Sequence, residues 1–494
     1  MFSTKNKLIS QDEFTQLCER LGLLLSKDHR IIIDSRKIQA GDIFCAYPGT
    51  LVDGRDYIVS ILNKNPSAII LESGRDVDTG VIPAFAINNL MQYIGLLSAN
   101  IEGYPSCKIQ VIGVTGTNGK TSISHWLNQA FSLCTQKTAI IGTTGCGIYP
   151  DVMDYASTTP DPVTLQDLVN NFAEKNVNIL VMEVSSHALH QGRVNGMSFD
   201  TAIFTNLTQD HLDYHHTMEE YYQAKTDLFY WHGLKHAIIN IDDKYGVRLV
   251  KELKENNSDL QVISYGINRG DIFTKNIKMT LQGVSFTLVY NNSEVEITAP
   301  ILGEFNISNL LSVFATLICN GIKLSDITNI ARNLKPVIGR MDANIVENSP
   351  LVVVDYSHTP DSLEKALLSL REIPHKKLHC VFGCGGNRDR SKRSVMGRIA
   401  SELSSTVIIT NDNPRHENPE DIISEILSGI ETDNYQVISD RGEAIKMAIM
   451  SADVEDIVLI AGKGHEDYQE IAGIKHHFSD LEKRDEYLQL YKMK

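Results

Sequence analysis

Short continuous apolar runs alternate along this chain with longer stretches in which apolar residues recur every three or four positions. The runs read as strands buried on both faces, and the longer stretches as helices that cover them. Strands are predicted at 108–114, 138–142, 179–184, 201–205 and 236–241, then again at 351–355, 378–383, 406–410 and 457–461. Helices fall between them, at 122–133, 164–175 and 218–229 among others. This alternation specifies a mostly parallel sheet with helices on both sides, and such sheets hold ligands at the carboxyl ends of their strands. Shorter runs at 30–35, within 41–49 and at 67–71 predict a small α/β unit ahead of the first large sheet. The fold class is therefore α/β in three domains: 1–106, 107–336 and 337–494. The central and last domains are each doubly wound.

The run from Lys108 to Val114 breaks into Thr115, Gly116, Thr117, Asn118, Gly119, Lys120 and Thr121, and an amphipathic helix follows from Ser122. A strand, a glycine-bearing loop and a helix in that order make a phosphate-binding loop. The glycines let the backbone turn tightly and aim amide N–H groups inward. The helix adds unsatisfied N–H groups and a partial positive end. Lys120 supplies a charge for the outer phosphates and Thr121 a hydroxyl for Mg²⁺. The strict spacing would place glycine at 114, where this chain has Val114, so the loop is a variant. The central domain is thus predicted to be a P-loop ATPase.

Composition narrows the classes. At 494 residues the chain exceeds one core, and 42% hydrophobic with 22% charged residues describes an ordinary globular protein. A net charge of −15 excludes the basic face that non-specific nucleic-acid binding needs. It leaves room for nucleotides held by local amides, a few cations and Mg²⁺. No apolar run approaches a membrane span, and the start, Met1 to Lys7, lacks a signal-peptide core. Eight scattered cysteines read as free thiols in a reducing cytoplasm.

Other constellations lie where strands end. Glu183 closes one strand and Asn206 another, and a dense polar cluster runs from Asn206 to His216. A hard cation such as Mg²⁺ wants oxygen ligands, which Glu183 offers, with His211 as one tolerable imidazole. Lys225, on the helix that follows, reads from the residues alone as a solvated lysine. Burial would instead leave its amine able to capture CO₂ as a carbamate, an oxygen ligand for a second Mg²⁺. Cys380 to Asp389 is a strand entering a glycine-rich loop, but its glycine spacing does not fit a dinucleotide fingerprint. Asp412, Asn413, Pro414 and Arg415 form a turn whose arginine suits bidentate recognition of a carboxylate. With Arg388 and the loop Gly462 to Glu466, that turn could converge on a charged zwitterion. Asp34, Ser35 and Arg36 read equally well as turn chemistry.

Taken together, Thr115 to Thr121, Glu183 to His187, Asn206 to His211, Lys225 and Asp412 to Arg415 resemble the Mur ligases, in the right order over nearly the whole chain. The resemblance implies a UDP-sugar domain, a central ATPase and a Rossmann-like C-terminal domain. It implies that Ile33, Ser35, Thr50, Leu51 and Val52 hold the uridine end of a UDP-muramoyl substrate. Thr158, Thr159, Ser185, Gln191 and Arg193 would hold its dipeptide. ATP would lie on Gly116, Thr117, Asn118, Gly119, Lys120, Thr121, Ser122, Asn306, Arg340 and Asp355. Lys225 matches the family's carbamylated lysine, and Thr121, Glu183, His211 and the modified Lys225 would ligate two Mg²⁺. Lys120, Lys225, Glu183 and His211 would form the catalytic set. Arg388, Asp412, Asn413, Pro414, Arg415, Gly462 and Glu466 match the amino-acid site. Members that add meso-diaminopimelate carry arginine in that turn, and lysine-adding members usually carry another residue.

The implied activity is ATP-dependent ligation of meso-diaminopimelate to UDP-N-acetylmuramoyl-L-alanyl-D-glutamate, in cytoplasmic synthesis of a peptidoglycan precursor. The expected partners are small molecules, with no nucleic acid and no membrane insertion, and the expected state is a monomer. Competing readings are the same ligation with L-lysine or lanthionine, a ligase like folylpolyglutamate synthetase, and a nucleotide switch that ligates nothing.

Overall fold

The computed structural model describes residues 11–49, 52–155, 157–256 and 259–493. It forms two compact units, one of Met1–Gly116, Phe131–Asn206 and Thr217–Ser264, the other of Thr117–Ala130, Leu207–His216 and Tyr265–Lys494.

In the first unit, four parallel strands lie in the order Ile31–Ile32, Ile43–Ala46, Ala68–Glu72, Ala84–Ile87. Successive side chains point to opposite faces. Ile43, Cys45, Ala68 and Ile70 therefore join Phe14, Leu17 and Leu97 on one side. Phe44, Ala46, Ile69 and Leu71 join Ile58 and Ile61 on the other. The strand expected at 30–35 shrinks to two residues because Asp34 closes a turn: Arg36 donates its N and Nε to Asp34 Oδ1, and Lys37 N donates to Asp34 O.

The larger sheet of this unit centres on Gln110–Thr115. Thr201–Phe204 and Ile179–Glu183 flank it in parallel, and His236–Asn240 and Thr138–Gly142 lie next outward. Phe204 is level with Thr115, and Val114 with Glu183, so three strand ends meet at one edge. The sheet then departs from the parallel pattern through the antiparallel strands Gly145–Ile148 and Asp151–Met153. Asp161 caps helix Pro162–Glu174, accepting from Val163 N and Thr164 N at 3.1 and 3.0 Å. Asp161→Ala is expected to lower stability by about 1 kcal/mol, read as a lower urea midpoint with unchanged slope.

The second unit holds a six-stranded sheet in the order Asp342–Asn344, Leu351–Asp355, Ile457–Ala461, Leu378–Phe382, Thr406–Ile409, Tyr435–Val437, parallel except for the first pair. Val353, Leu459 and Cys380 face one core, and Val352, Val458 and Val381 the other. An antiparallel meander, Ile272–Thr280, Gly283–Tyr290 and Ser293–Ala299, precedes the deeply buried helix Glu304–Cys319. The apolar pattern assigns nothing to that meander, because charged and polar residues interrupt its outer face. The helix after the phosphate loop begins at Lys120, two residues earlier than predicted, which brings its first N–H groups into the loop itself. No helix among the described residues is long and apolar enough to cross a membrane.

Candidate active site

Within the second unit the phosphate loop is fastened residue by residue. Thr117 Oγ1 donates to Thr208 O and accepts from Thr208 N, tying the loop to the polar cluster at 207–211. Asn118 Nδ2 donates to Asp361 Oδ2 at 2.8 Å. Gly119 has a φ of +90°, and a Cβ there would stand 2.5 Å from Asn309 Oδ1. Asn309 is itself held by Asn306 Oδ1, one turn earlier on the buried helix, and Asn306 Nδ2 donates to Leu302 O just ahead of that helix. Lys120 Nζ reaches the loop carbonyl of Thr117 at 2.9 Å.

Beside Thr121 stands a set of nitrogens. Arg340 Nη2 donates to Thr121 Oγ1 at 3.2 Å, and its guanidinium lies over the Tyr356 ring. The Tyr356 and His465 rings stack 5.2 Å apart. Arg340 Nε and His465 Nδ1 are buried and take no hydrogen-bond partner among the described residues. Burial, reinforced by the Arg340 charge, pushes His125 down to about 4 and His465 to about 3, so both are neutral near pH 7. Asp355 accepts from Met341 N at 2.6 Å and from Ser357 Oγ, and burial pushes its carboxyl up. The Arg340 cation and the neutral His465 ring, each with a nitrogen unpaired among the described residues, suit an anionic or hydrogen-bonding ligand.

In the first unit the residues expected to hold the dipeptide form one network. Thr143 N and Oγ1 donate to the two oxygens of Glu183 at 2.9 and 3.0 Å, and Thr143 Oγ1 also meets Thr158 Oγ1. Thr159 Oγ1 donates to Glu183 O and accepts from Ser185 N. Arg193 donates Nη1 to Thr159 O and Nε to Gln191 Oε1. The Glu183 side chain is fully buried, and no protein cation pairs with it among the described residues. A buried carboxylate with only neutral donors fits a hard divalent cation. No three His, Cys, Asp or Glu side chains cluster for a metal among the described residues. An ion here therefore needs other oxygens, from hydroxyls, phosphates or water. A Cβ on Gly142 would press against the Glu183 carboxylate. Gly142→Ala is expected to cut turnover by up to about 100-fold by displacing it, with the melting temperature nearly unchanged. Lys225, only 1% exposed, donates from Nζ to Gly116 O at 2.8 Å.

In the second unit the turn 412–415 adjoins two neighbouring strand-end loops. Arg415 Nη1 donates to Gly386 O at 2.8 Å, and Asn413 Nδ2 to Glu466 Oε2 at 2.9 Å. The Lys463 ammonium, fully buried, is shared between Asn413 Oδ1 and Glu466 Oε2, both at 3.0 Å. Gly462 has a φ of +124° and passes close to Asp412 Oδ2. Pro414 O abuts Gly386, where a side chain would not fit.

Not every expected residue joins these groups. The Arg388 side chain is exposed and among the described residues reaches only its neighbour Asn387 O. His211 is half exposed, in a left-handed conformation beside Asp210 at 3.5 Å. Ile33 and Ser35 are partly buried, with Ser35 O accepting from Lys64 Nζ, and Val52 is exposed. Thr50 and Leu51 lie outside the described residues. Sequence reasoning missed Thr143, Tyr356, His358, Lys392 and Lys463 as members of these clusters. Tyr356 and His358 directly follow a strand end, so the strand-end rule could have found them. Lys392 Nζ holds His358 O, a contact across 34 residues that no local signal announces.

Residues 114–317 match the Mur ligase middle domain, 339–464 the Mur ligase glutamate ligase domain and 28–95 the Mur ligase family catalytic domain. The UDP-N-acetylmuramoyl-L-alanyl-D-glutamate–2,6-diaminopimelate ligase of Chromobacterium violaceum is 44% identical over 477 residues, 96% of each chain. The enzyme of that name from Neisseria meningitidis serogroup B is 46% identical over 455 residues, 91% of this chain and 92% of its own. A solved structure of a ligase with the same name aligns at a TM-score of 0.70 and 35% identity, covering 94% of this chain and 95% of that one.

Proposed function

The chain belongs to the Mur ligase family, and from that premise we propose that it joins meso-2,6-diaminopimelate to UDP-N-acetylmuramoyl-L-alanyl-D-glutamate at the expense of ATP. The relatives named for this reaction match nearly the whole chain, and their names give the same two substrates. The observation that carries the reading is the turn 412–415, where Arg415 and Glu466 stand on loops joined through Asn413. A guanidinium and a carboxylate on linked loops form a receptor for an amino acid with an extra carboxylate. The three family matches lie within 1–106, 107–336 and 337–494, which supports those bounds as UDP-sugar, ATP and amino-acid domains.

The reaction starts with the D-glutamate γ-carboxylate. One of its oxygens attacks the γ-phosphorus of ATP, the bond to the β-phosphate breaks, and ADP leaves with the electron pair. The nitrogen of diaminopimelate then attacks the acyl carbon, inorganic phosphate leaves, and the nitrogen loses a proton. The obstacle is the meeting of an anionic carboxylate with an anionic triphosphate. In this reading Lys120 and the amides of 116–121 hold the outer phosphates, and Arg340 adds a cation beside Thr121. Asn306, Asp355 and Ser122 complete the nucleotide site. Thr158, Thr159, Ser185, Gln191 and Arg193 orient the dipeptide. Ile33, Ser35 and Val52 serve the uridine end. Arg388, Asp412, Asn413, Pro414, Arg415, Gly462 and Glu466 receive diaminopimelate. Glu183, Thr121, His211 and Lys225 as a carbamate would hold Mg²⁺, which when bound offsets phosphate charge and draws electrons from phosphorus.

Eight free thiols suit a reducing compartment, and we place the enzyme in the cytoplasm, acting as a monomer in peptidoglycan precursor synthesis. The test is phosphate release from ATP with the UDP-dipeptide and a panel of diaminopimelate, L-lysine and lanthionine. Release is expected only with all substrates present and fastest with diaminopimelate. Release that ignores the amino acid would favour a nucleotide switch and overturn the proposal.

A further inference from the structure

The hairpin of Tyr468–Ile471 and Ile474–His477 stands apart from the six-stranded sheet, with its second strand exposed. Its first strand nonetheless follows the turn 412–415 along its length. Gln469 Nε2 donates to Asp412 O at 2.7 Å, and Glu470 N donates to Asn413 Oδ1 at 2.9 Å. Arg415 N donates to Glu470 O at 3.0 Å, and Ala472 N donates to Arg415 O at 2.7 Å. Glu470 Oε2 lies 3.3 Å from Arg415 Nε, both side chains about one-fifth exposed.

Arg415 needs that support. Its φ is +53°, a left-handed conformation that a non-glycine residue keeps only where its surroundings impose it. The bonds from Arg415 N and to Arg415 O impose it from both sides. The guanidinium is constrained as well, since the Glu470 carboxylate stands beside Nε as an ion pair and Gly386 O accepts one hydrogen of Nη1. The edge formed by Nη2 and the second Nη1 hydrogen is left to a carboxylate, which a guanidinium grips end-on with two parallel bonds.

We infer that Glu470 and Gln469 are positioning residues that set the amino-acid specificity of this enzyme by fixing the backbone and the free edge of Arg415. This rests on reading the turn as the diaminopimelate receptor. Glu470 acts through Arg415, and Gln469 holds the first residue of the same turn.

The test is a double-mutant cycle on the full-length enzyme, with steady-state kinetics for diaminopimelate, L-lysine and ATP. Glu470→Ala is expected to raise the KM for diaminopimelate about tenfold, the size of one lost contact to a charged group, and to leave the KM for ATP within about twofold. The preference for diaminopimelate over lysine should fall by the same factor. Glu470→Gln, which keeps the side chain's size, should move both readouts in the same direction. Gln469→Leu should do so more weakly. The Glu470→Ala/Arg415→Ala variant should be no worse than Arg415→Ala alone, because the first residue acts through the second. Additive losses, or equal rises in both KM values, would overturn the inference and leave the receptor reading intact. An Arg415→Ala enzyme with unchanged use of diaminopimelate would overturn both.

Discussion

Replacing Lys225 with alanine is expected to lower turnover on the order of 10³-fold or more, and added bicarbonate should not restore it. The helix that carries Lys225, Met218–Thr226, places it at 1% exposure with Nζ on the carbonyl of Gly116, at the start of the phosphate loop. The Tyr221 ring lies 4.5 Å from the same nitrogen. In the proposed modification the lysine amine adds to CO₂, losing a proton and becoming a carbamate. The change turns a cation into an anionic oxygen ligand, in the same compact unit as the buried Glu183. Alanine has no nitrogen to carry the carbamate, so bicarbonate cannot rescue the variant. Carbon NMR of the wild-type protein in isotopically labelled bicarbonate should show a carbamate signal that the variant lacks. Full ligation by the variant would remove Lys225 from the chemistry.

Arg415→Ala is expected to erase the choice between diaminopimelate and lysine. The two differ by the distal carboxylate. A site built to pair a polar group rejects an analogue lacking it by about 10⁴-fold, because its own buried group is then left unpaired. The wild-type enzyme should show discrimination of that order in kcat/KM, and the variant should bring it close to unity, chiefly by losing diaminopimelate. The KM for ATP should change little, since Arg415 is proposed for the amino acid, and Lys120, Arg340 and Asn306 are proposed for the nucleotide. Equal rises in both Michaelis constants would mean that the turn is structural.

The strand, loop and helix over 110–133 were legible because the signal is local: a strand, two glycines, a lysine and a helix follow one another in the chain. The strands at 138–142, 351–355 and 457–461 were legible to the residue, since burial on both faces makes their apolar runs continuous. The meander at 272–299 was not, because one side faces water and its sequence alternates. Arg388 shows the converse limit: its near neighbour Gly386 touches the turn through Asn413 O and Arg415 Nη1, while its own side chain stays outside.

Order along the chain therefore determined the α/β class, the strand–loop–helix over 110–133 and the turn 412–415, all of them properties of residues close in sequence. Only the tertiary structure decided that Lys225 is buried, that Glu183 is without a counter-ion among the described residues, and that a separate hairpin holds Arg415 in place. Burial and long-range main-chain bonds depend on which segments pack together, and no local pattern of apolar and polar residues records that.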